Sequence, residues 1–379
     1  MRKPSHQIES ANPLTLIIAI VALLVPTFLS AGESSEEVDE YRPIGEPTKL
    51  TLITAGTDLD AVFADIQQQT GNKLVDFRER FNQDISQSLW NFSLSDREFW
   101  PVLDKFLDAA NLGLYAASGE EALAVVNRTP GSAQRFGRAC YAGPFRIEAA
   151  TITARRALRS LGESSAQLEM EIAWEPRLNP ISLSLATDTL SILGDDQTPL
   201  DVVQRRPMLG AEVMPGTHSA EMVVPLQLPP RQIRAIDTMK GQIIALVPAG
   251  KTEFRFTDLT DAEDVKQIWG GVKVELVDVK RNQSLWEVRM RLEVLGNVQA
   301  LDKQRSWAFQ NLTFLENPEG EVIDHAGFET TNQSEGSLSL AYFFDLPVEN
   351  LKGYTWVYRT PADITEVPVD FELSDIPLP

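Results

Sequence analysis

The sequence predicts a mainly β protein with a small α+β head and two tandem immunoglobulin-like β-sandwiches related by duplication. Three observations lead there. Helical periodicity is concentrated in residues 47–128, with one short break from strand at 260–269. Beyond them, short apolar/polar alternating runs dominate. Those runs occur twice in the same order. Residues 168–174 (Leu-Glu-Met-Glu-Ile-Ala-Trp) align with 286–292 (Trp-Glu-Val-Arg-Met-Arg-Leu). Leu228-Pro229 aligns with Leu346-Pro347, Lys240-Gly241 with Lys352-Gly353, Pro248-Ala249 with Pro361-Ala362, and 254–259 with 371–376. The offset is roughly 112 to 118 residues throughout, the signature of a repeated structural unit.

Residues 1–32 read as a signal peptide. Arg2 and Lys3 precede an apolar run from Leu14, interrupted by Pro26 and followed by the small residues Ser30, Ala31 and Gly32. The run is shorter than the roughly 20 residues that span a bilayer. Cleavage leaves a periplasmic or extracellular protein without a membrane span; retention would leave it anchored at its N-terminus in the inner membrane. Residues 33–46 are acidic and lack apolar periodicity, as a linker does.

Residues 47–128 alternate strand and helix signals in the order βαββαββ. Thr57-Asp-Leu-Asp60 suits a capping box. Leu59, Val62, Phe63 and Ile66 then fall on one helical face, and Gly71 ends it. Residues 73–76 and 88–93 suit strands. Ser95-Asp-Arg-Glu98 suits a second capping box, before a helix lined by Phe99, Leu103, Phe106, Leu107 and Ala110. Residues 113–116 and 122–127 close the head as a β pair.

This segment resembles the short N-terminal module of bacterial secretins and TonB-dependent receptors. Leu50-Thr-Leu52, Leu59, Ala61-Val62, Gln67-Gln-Gln-Thr-Gly71, Phe92-Ser-Leu94, Phe99-Trp100, Leu103, Leu107 and Gly113-Leu114 carry the likeness. It implies an α+β fold that contacts partner proteins in the periplasm, and it transfers no functional residue. The whole chain resembles exported bacterial proteins with such a head and tandem β-sandwiches, which implies no activity.

Residues 129–142 form a join. The first sandwich, 143–259, is expected to hold strands at 145–151, 167–174, 181–185, 189–193, 220–228, 241–247 and 252–257. The second, 270–379, repeats them at 272–279, 285–294, 308–316, 321–324, 338–346, 354–358 and 367–373. In the second of these strands Leu168, Met170, Ile172 and Trp174 should face a core, with Glu169, Glu171 and Glu175 in water. Residues 260–269 read as a short linking helix, with Asp261, Glu263 and Asp264 at its positive end.

The composition disfavours several kinds of chemistry. The formal charge of −20 repels nucleic acid and anionic lipid. Cys140 is the only cysteine, so no intramolecular disulfide forms; it reads as a small buried apolar residue. His6, His218 and His325 lack the spacing of a zinc site. The densest carboxylates, Asp58/Asp60, Asp195/Asp196 and 258–264, suit turns and caps. No phosphate-cradling or nucleophile-elbow motif occurs. Trp269 and Trp307 are the tryptophans placed best for the surface, the other five for cores. Arg155, Arg156, Arg159, Arg205 and Arg206 are basic spots suited to an acidic partner. No catalytic residue, cofactor or metal ligand is assigned.

The sequence therefore leads to a non-enzymatic exported cell-envelope protein, with a head that docks a protein partner and sandwiches that act as spacers or interaction modules. One alternative is a carbohydrate-binding or carbohydrate-hydrolysing protein. Another is a self-assembling envelope protein.

Overall fold

A computed structural model describes residues 44–85, 89–160, 163–203, 207–295, 306–334 and 336–379. The signal peptide, residues 33–43 of the acidic linker, and Arg205 and Arg206 lie outside the described residues. Among the described residues no helix is long and apolar enough to cross a membrane. The described residues form a mainly β, sandwich-like fold, with several sheets and two α-helices.

The head runs β1 (Lys49–Thr57), α1 (Leu59–Thr70), β2 (Leu74–Asp76), β3 (Trp90–Glu98), α2 (Phe99–Ala110), β4 (Leu112–Tyr115) and β5 (Leu123–Asn127). Strands β1 and β3 form one sheet, and β2-β5-β4 form another. Helix α1 is capped by Asp58, one residue later than the predicted Thr57; the Asp58 carboxylate accepts the Ala61 N–H. Gly71, at φ +74°, closes it in the left-handed conformation, and its N–H reaches the Gln67 carbonyl. The second predicted capping box is absent. Strand β3 continues to Glu98 because Arg97 and Glu98 pair with Leu50 and Lys49 of β1. Helix α2 therefore starts at Phe99 with no side-chain cap. Leu50, Leu52, Ile66, Trp90, Phe99, Trp100 and Leu103 are among the residues that build the head's core.

Two lobes follow. The first contributes β6 (Ala139–Ala142), β7 (Phe145–Arg155), β8 (Ser165–Trp174), β9 (Ser182–Ala186), β10 (Ser191–Gly194), β11 (Met208–Ala211), β12 (Ser219–Gln227) and β13 (Ala235–Phe256). The second contributes β14 (Glu263–Trp269), β15 (Val272–Asn282), β16 (Leu285–Val294), β17 (Thr313–Glu316), β18 (Val322–Asp324), β19 (Gly327–Ser334), β20 (Ser337–Asp345) and β21 (Thr355–Pro377). One outer sheet has the order β12-β8-β7-β6, and the other β14-β15-β16-β20-β19. Between them lies a shared sheet, β11-β9-β13-β21-β17-β18, with β10 also paired to β13.

Strands β13 and β21 are 22 and 23 residues long and pair antiparallel from Ala235↔Pro377 to Phe256↔Trp356. Each serves both lobes. Ile236, Met239, Ile243, Ala245 and Val247 of β13 lie in the first core with Val369, Phe371 and Leu373 of β21. Phe254 and Phe256 lie in the second core with Trp356 and Tyr358. A division at 259/270 along the chain thus does not register that the last part of β21 completes the first lobe. The sequence predicts two shorter strands in place of each, 241–247 with 252–257 and 354–358 with 367–373. Pro248 and Pro361 are accommodated because each lies just beyond its strand's second neighbour. β9 pairs with β13 only through Leu246, and β17 pairs with β21 only through Tyr358.

Residues 263–269 form strand β14, not the expected helix. Val265 and Gln267 pair with Leu276 and Val274, and Gly270 and Gly271, both at positive φ, turn the chain into β15. Strands β6, β11 and β19 were also unforeseen. Part of the predicted strand 308–316 is a 3-10 turn at 306–310. The alternation in β8 is as expected, with Leu168, Met170, Ile172 and Trp174 buried. Cys140 is half-buried against the first core.

Candidate functional site

Helix α2 carries its acidic residues Asp104 and Asp108 one turn apart, away from the Phe99–Leu103–Phe106 face. On an isolated helix these would be solvated. Here they meet the start of the first lobe. Asp104 is fully buried and accepts from Arg146 Nε at 2.6 Å, Arg135 Nε at 2.8 Å and Tyr141 Oη at 2.9 Å. Arg146, also fully buried, makes a second ion pair with Glu148. Burial works against the Arg146 charge, but Asp104 and Glu148 outweigh it and push the guanidinium's pKa further up. Burial likewise opposes ionisation of Asp108, yet the N–H groups of Arg135 and Phe136 and the Arg128 guanidinium hold its carboxyl below the usual value of 3.8.

A second latch centres on Glu175. Alternation from β8 had placed it in water, but β8 ends at Trp174 and Glu175 is fully buried. It accepts from Thr48 N, Thr48 Oγ1, Asn72 Nδ2 and Arg177 Nε. Trp100 adds a hydrogen bond from Nε1 to the Pro144 carbonyl at 2.9 Å. The head is thus seated on the first lobe by buried polar contacts on two sides.

The head also has an open aromatic surface. Phe81 and Tyr115 are 45% and 42% exposed. Their rings meet edge to face with centroids 5.1 Å apart. Phe77 lies beneath Phe81, and Arg80 stacks over the Phe77 ring. Sequence reading did not single out Phe81 or Tyr115. The available signal was two phenylalanines, Phe77 and Phe81, in a stretch between strands that needs no core residue.

A cleft of about 390 Å³ lies where head, first lobe and second lobe meet. Its floor is the middle of the long ribbon: Lys251 of β13, and Arg359, Thr360 and Pro361 of β21. Met214 and His218 line one side, Asn311 and Leu312 another, and Glu121 the head's rim. The rim is held by close backbone approach. Gly119 N–H donates to the Gly216 carbonyl at 3.0 Å, and a Cβ at Gly216, which sits at φ +71°, would come within 2.8 Å of Gly119 Cα.

His218 fastens the same loop. It is 3% exposed, and its Nε2 lies 3.2 Å from the Glu120 carbonyl. That carbonyl only accepts, so Nε2 carries the proton and Nδ1 is bare; Nδ1 has no partner among the described residues. Burial holds the imidazole below its ordinary value of 6.5, against the raising effects of the Glu120 carbonyl and the Glu121 charge. The unfolded chain then takes up a proton near pH 6.5 while the folded chain resists. The His218 contribution is fully present above that value and is lost as pH falls through the folded value, with a slope of at most about 1.4 kcal/mol per pH unit. Denaturant midpoints of the wild type should fall more between pH 7 and 5 than those of His218→Gln. Parallel curves would refute this.

The other sequence candidates serve the fold. Asp58 caps α1, Asp195 and Asp196 accept backbone N–H groups of Arg234 and Thr198, and Asp258 lies at a positive-φ turn. His325 packs by its ring against Tyr342 and Phe344, far along the chain from His218. Trp307 is buried, whereas Trp269 is 70% exposed at the end of β14. Arg155, Arg156 and Arg159 are exposed. No group of three His, Cys, Asp or Glu residues suited to a metal ion occurs among the described residues. No family model, no curated protein and no solved structure matches the chain.

Proposed function

We propose that this is a non-enzymatic exported cell-envelope protein whose head offers a rigid docking face to a protein partner while the two lobes hold it at a distance. The observation that carries the reading is the exposed Phe81–Tyr115 pair on a head that buried ion pairs fix to the first lobe. Exposed aromatic anchors on a preorganised surface are the usual centres of binding energy at protein interfaces.

We also read the lobes as duplicated immunoglobulin-like sandwiches. Support comes from the outer sheets, where β12-β8-β7-β6 parallels β20-β16-β15-β14. Leu228-Pro229 and Leu346-Pro347 directly follow β12 and β20. Asp258 and Asp375, aligned in the two sequence copies, adopt φ of 55° and 54°. Lys240-Gly241 and Lys352-Gly353 do not fit, since the first pair lies within β13 and the second in the turn before β21.

In-cell cross-linking of the tagged protein tests the docking reading. A reproducible envelope partner, linked through the head, should be lost at least tenfold in the Phe81→Ser/Tyr115→Ser double variant. Undiminished capture would remove the head face from consideration. Self-links alone would favour the assembly reading, which the outer edge of β14, unpaired among the described residues and with Ile268 and Trp269 exposed, supports.

A further inference from the structure

The junction cleft differs from the rest of this acidic chain. Of its charged lining residues two are cations, Lys251 and Arg359, and one is a carboxylate, Glu121. Both cations have donors to spare. Among the described residues the Lys251 ammonium reaches only Glu121, at 3.4 Å, with both side chains largely exposed. Arg359 gives its Nε to Glu253 at 2.6 Å, and its two terminal nitrogens have no hydrogen-bond partner among the described residues. The amides are also directional. Asn311 donates from Nδ2 to Tyr358 Oη and Thr360 Oγ1, so its carbonyl oxygen is left to accept. Around these polar groups stand the exposed side chains of Met214 and Leu312 and the rings of Pro215 and Pro361.

We infer that this cleft binds an extended peptide segment through a carboxylate, held by Arg359 and Lys251, with apolar neighbours against Met214 and Leu312. The volume falls in the range of small-ligand sites. An arginine with two free terminal nitrogens matches a carboxylate's two oxygens, and lysine adds a point charge. Asn311 Oδ1 accepts from a peptide N–H. The lining argues for peptide over sugar. Trp174 and Trp307 border the cleft but are buried, so neither offers the open ring face on which a sugar stacks. The single carboxylate in the lining also lacks the opposed partner that glycoside hydrolysis uses. A free chain terminus and an internal Asp or Glu side chain both supply the required group.

Nuclear magnetic resonance titration of the full chain decides the matter. Three pools of N-acetylated tetrapeptides serve as probes. One has free C-terminal carboxylates and no Asp or Glu, one is the same pool amidated, and one is amidated with a single Asp. Trigalacturonate is the fourth probe. Amides of Met214, Gly216, Thr217, His218, residues 310–312, Arg359 and Thr360 should shift with the first pool, the third, or both, which tells terminal from side-chain recognition. They should not shift with the second. Arg359→Gln and Lys251→Gln should each raise the dissociation constant at least tenfold. Lys251 is exposed, so its replacement leaves the fold intact and keeps the test valid if Arg359→Gln misfolds. The inference is overturned by no cleft shifts at millimolar peptide, by equal binding of the amidated pool, by unchanged affinity in Lys251→Gln, or by preference for trigalacturonate. Phe81 and Tyr115 are outside the lining, so Phe81→Ser/Tyr115→Ser leaves this binding unaffected and the two proposals fail separately.

Discussion

Replacing Asp104 by alanine is expected to destabilise the protein by about 3–5 kcal/mol, the cost of removing one partner from a buried ion pair. Asp104 is the shared acceptor of Arg146, Arg135 and Tyr141. Its loss leaves the buried Arg146 Nε with no acceptor and strands the Tyr141 hydroxyl at the seam between head and lobe. A penalty of this size is a large part of the roughly 5–15 kcal/mol that holds a domain folded. Burial and the Asp104 charge together hold the Tyr141 phenol well above its ordinary value of 10.0. In the variant, a phenol that titrates nearer that ordinary value should accompany the lower denaturant midpoint. A stability within about 1 kcal/mol of wild type would show that the Glu148 ion pair alone suffices for the buried Arg146 guanidinium, contrary to the usual cost of leaving a buried donor unsatisfied.

The second large effect is at Trp356. Its ring is fully buried, packs on Phe256 with centroids 5.1 Å apart and donates from Nε1 to Thr313 Oγ1 at 2.8 Å. Trp356→Ala should cost about 3–5 kcal/mol through lost burial and a residual cavity. The lesion lies in the second core, yet β21 continues from Trp356 to Phe371 and Leu373 in the first. Scanning calorimetry should therefore show one transition moved as a whole to lower temperature. Two resolved transitions, with only one displaced, would mean that the ribbon does not couple the lobes.

What the sequence revealed depended on how local the cause was. The head's order of elements was legible because its helices each carry an apolar stripe at helical spacing and Gly71 must adopt positive φ. Strand β8 was legible because a sheet with one wet face imposes a period of two. The errors arose where partners are remote. Residues 263–269 looked helical because acidic residues precede Val265 and Ile268, and an exposed edge strand lacks the alternation that would have identified it. Glu175 looked solvated because its acceptor role depends on Thr48 and Asn72, more than a hundred residues away. Neither candidate site was legible. The cleft joins Glu121, His218, Asn311 and Arg359 from three parts of the chain, and Phe81 meets Tyr115 across the intervening β3 and α2.

The exchange of half-strands between the lobes has a consequence for the order of events during synthesis. Ala235 pairs with Pro377 and Gly241 with Phe371, so the first lobe cannot close its core when its own segment has left the ribosome. It must wait for β21, and then both lobes can lock together. Contacts between such distant positions slow folding, because loop closure precedes the stabilising burial. Until β21 has emerged, the first lobe is thus kept open along β13.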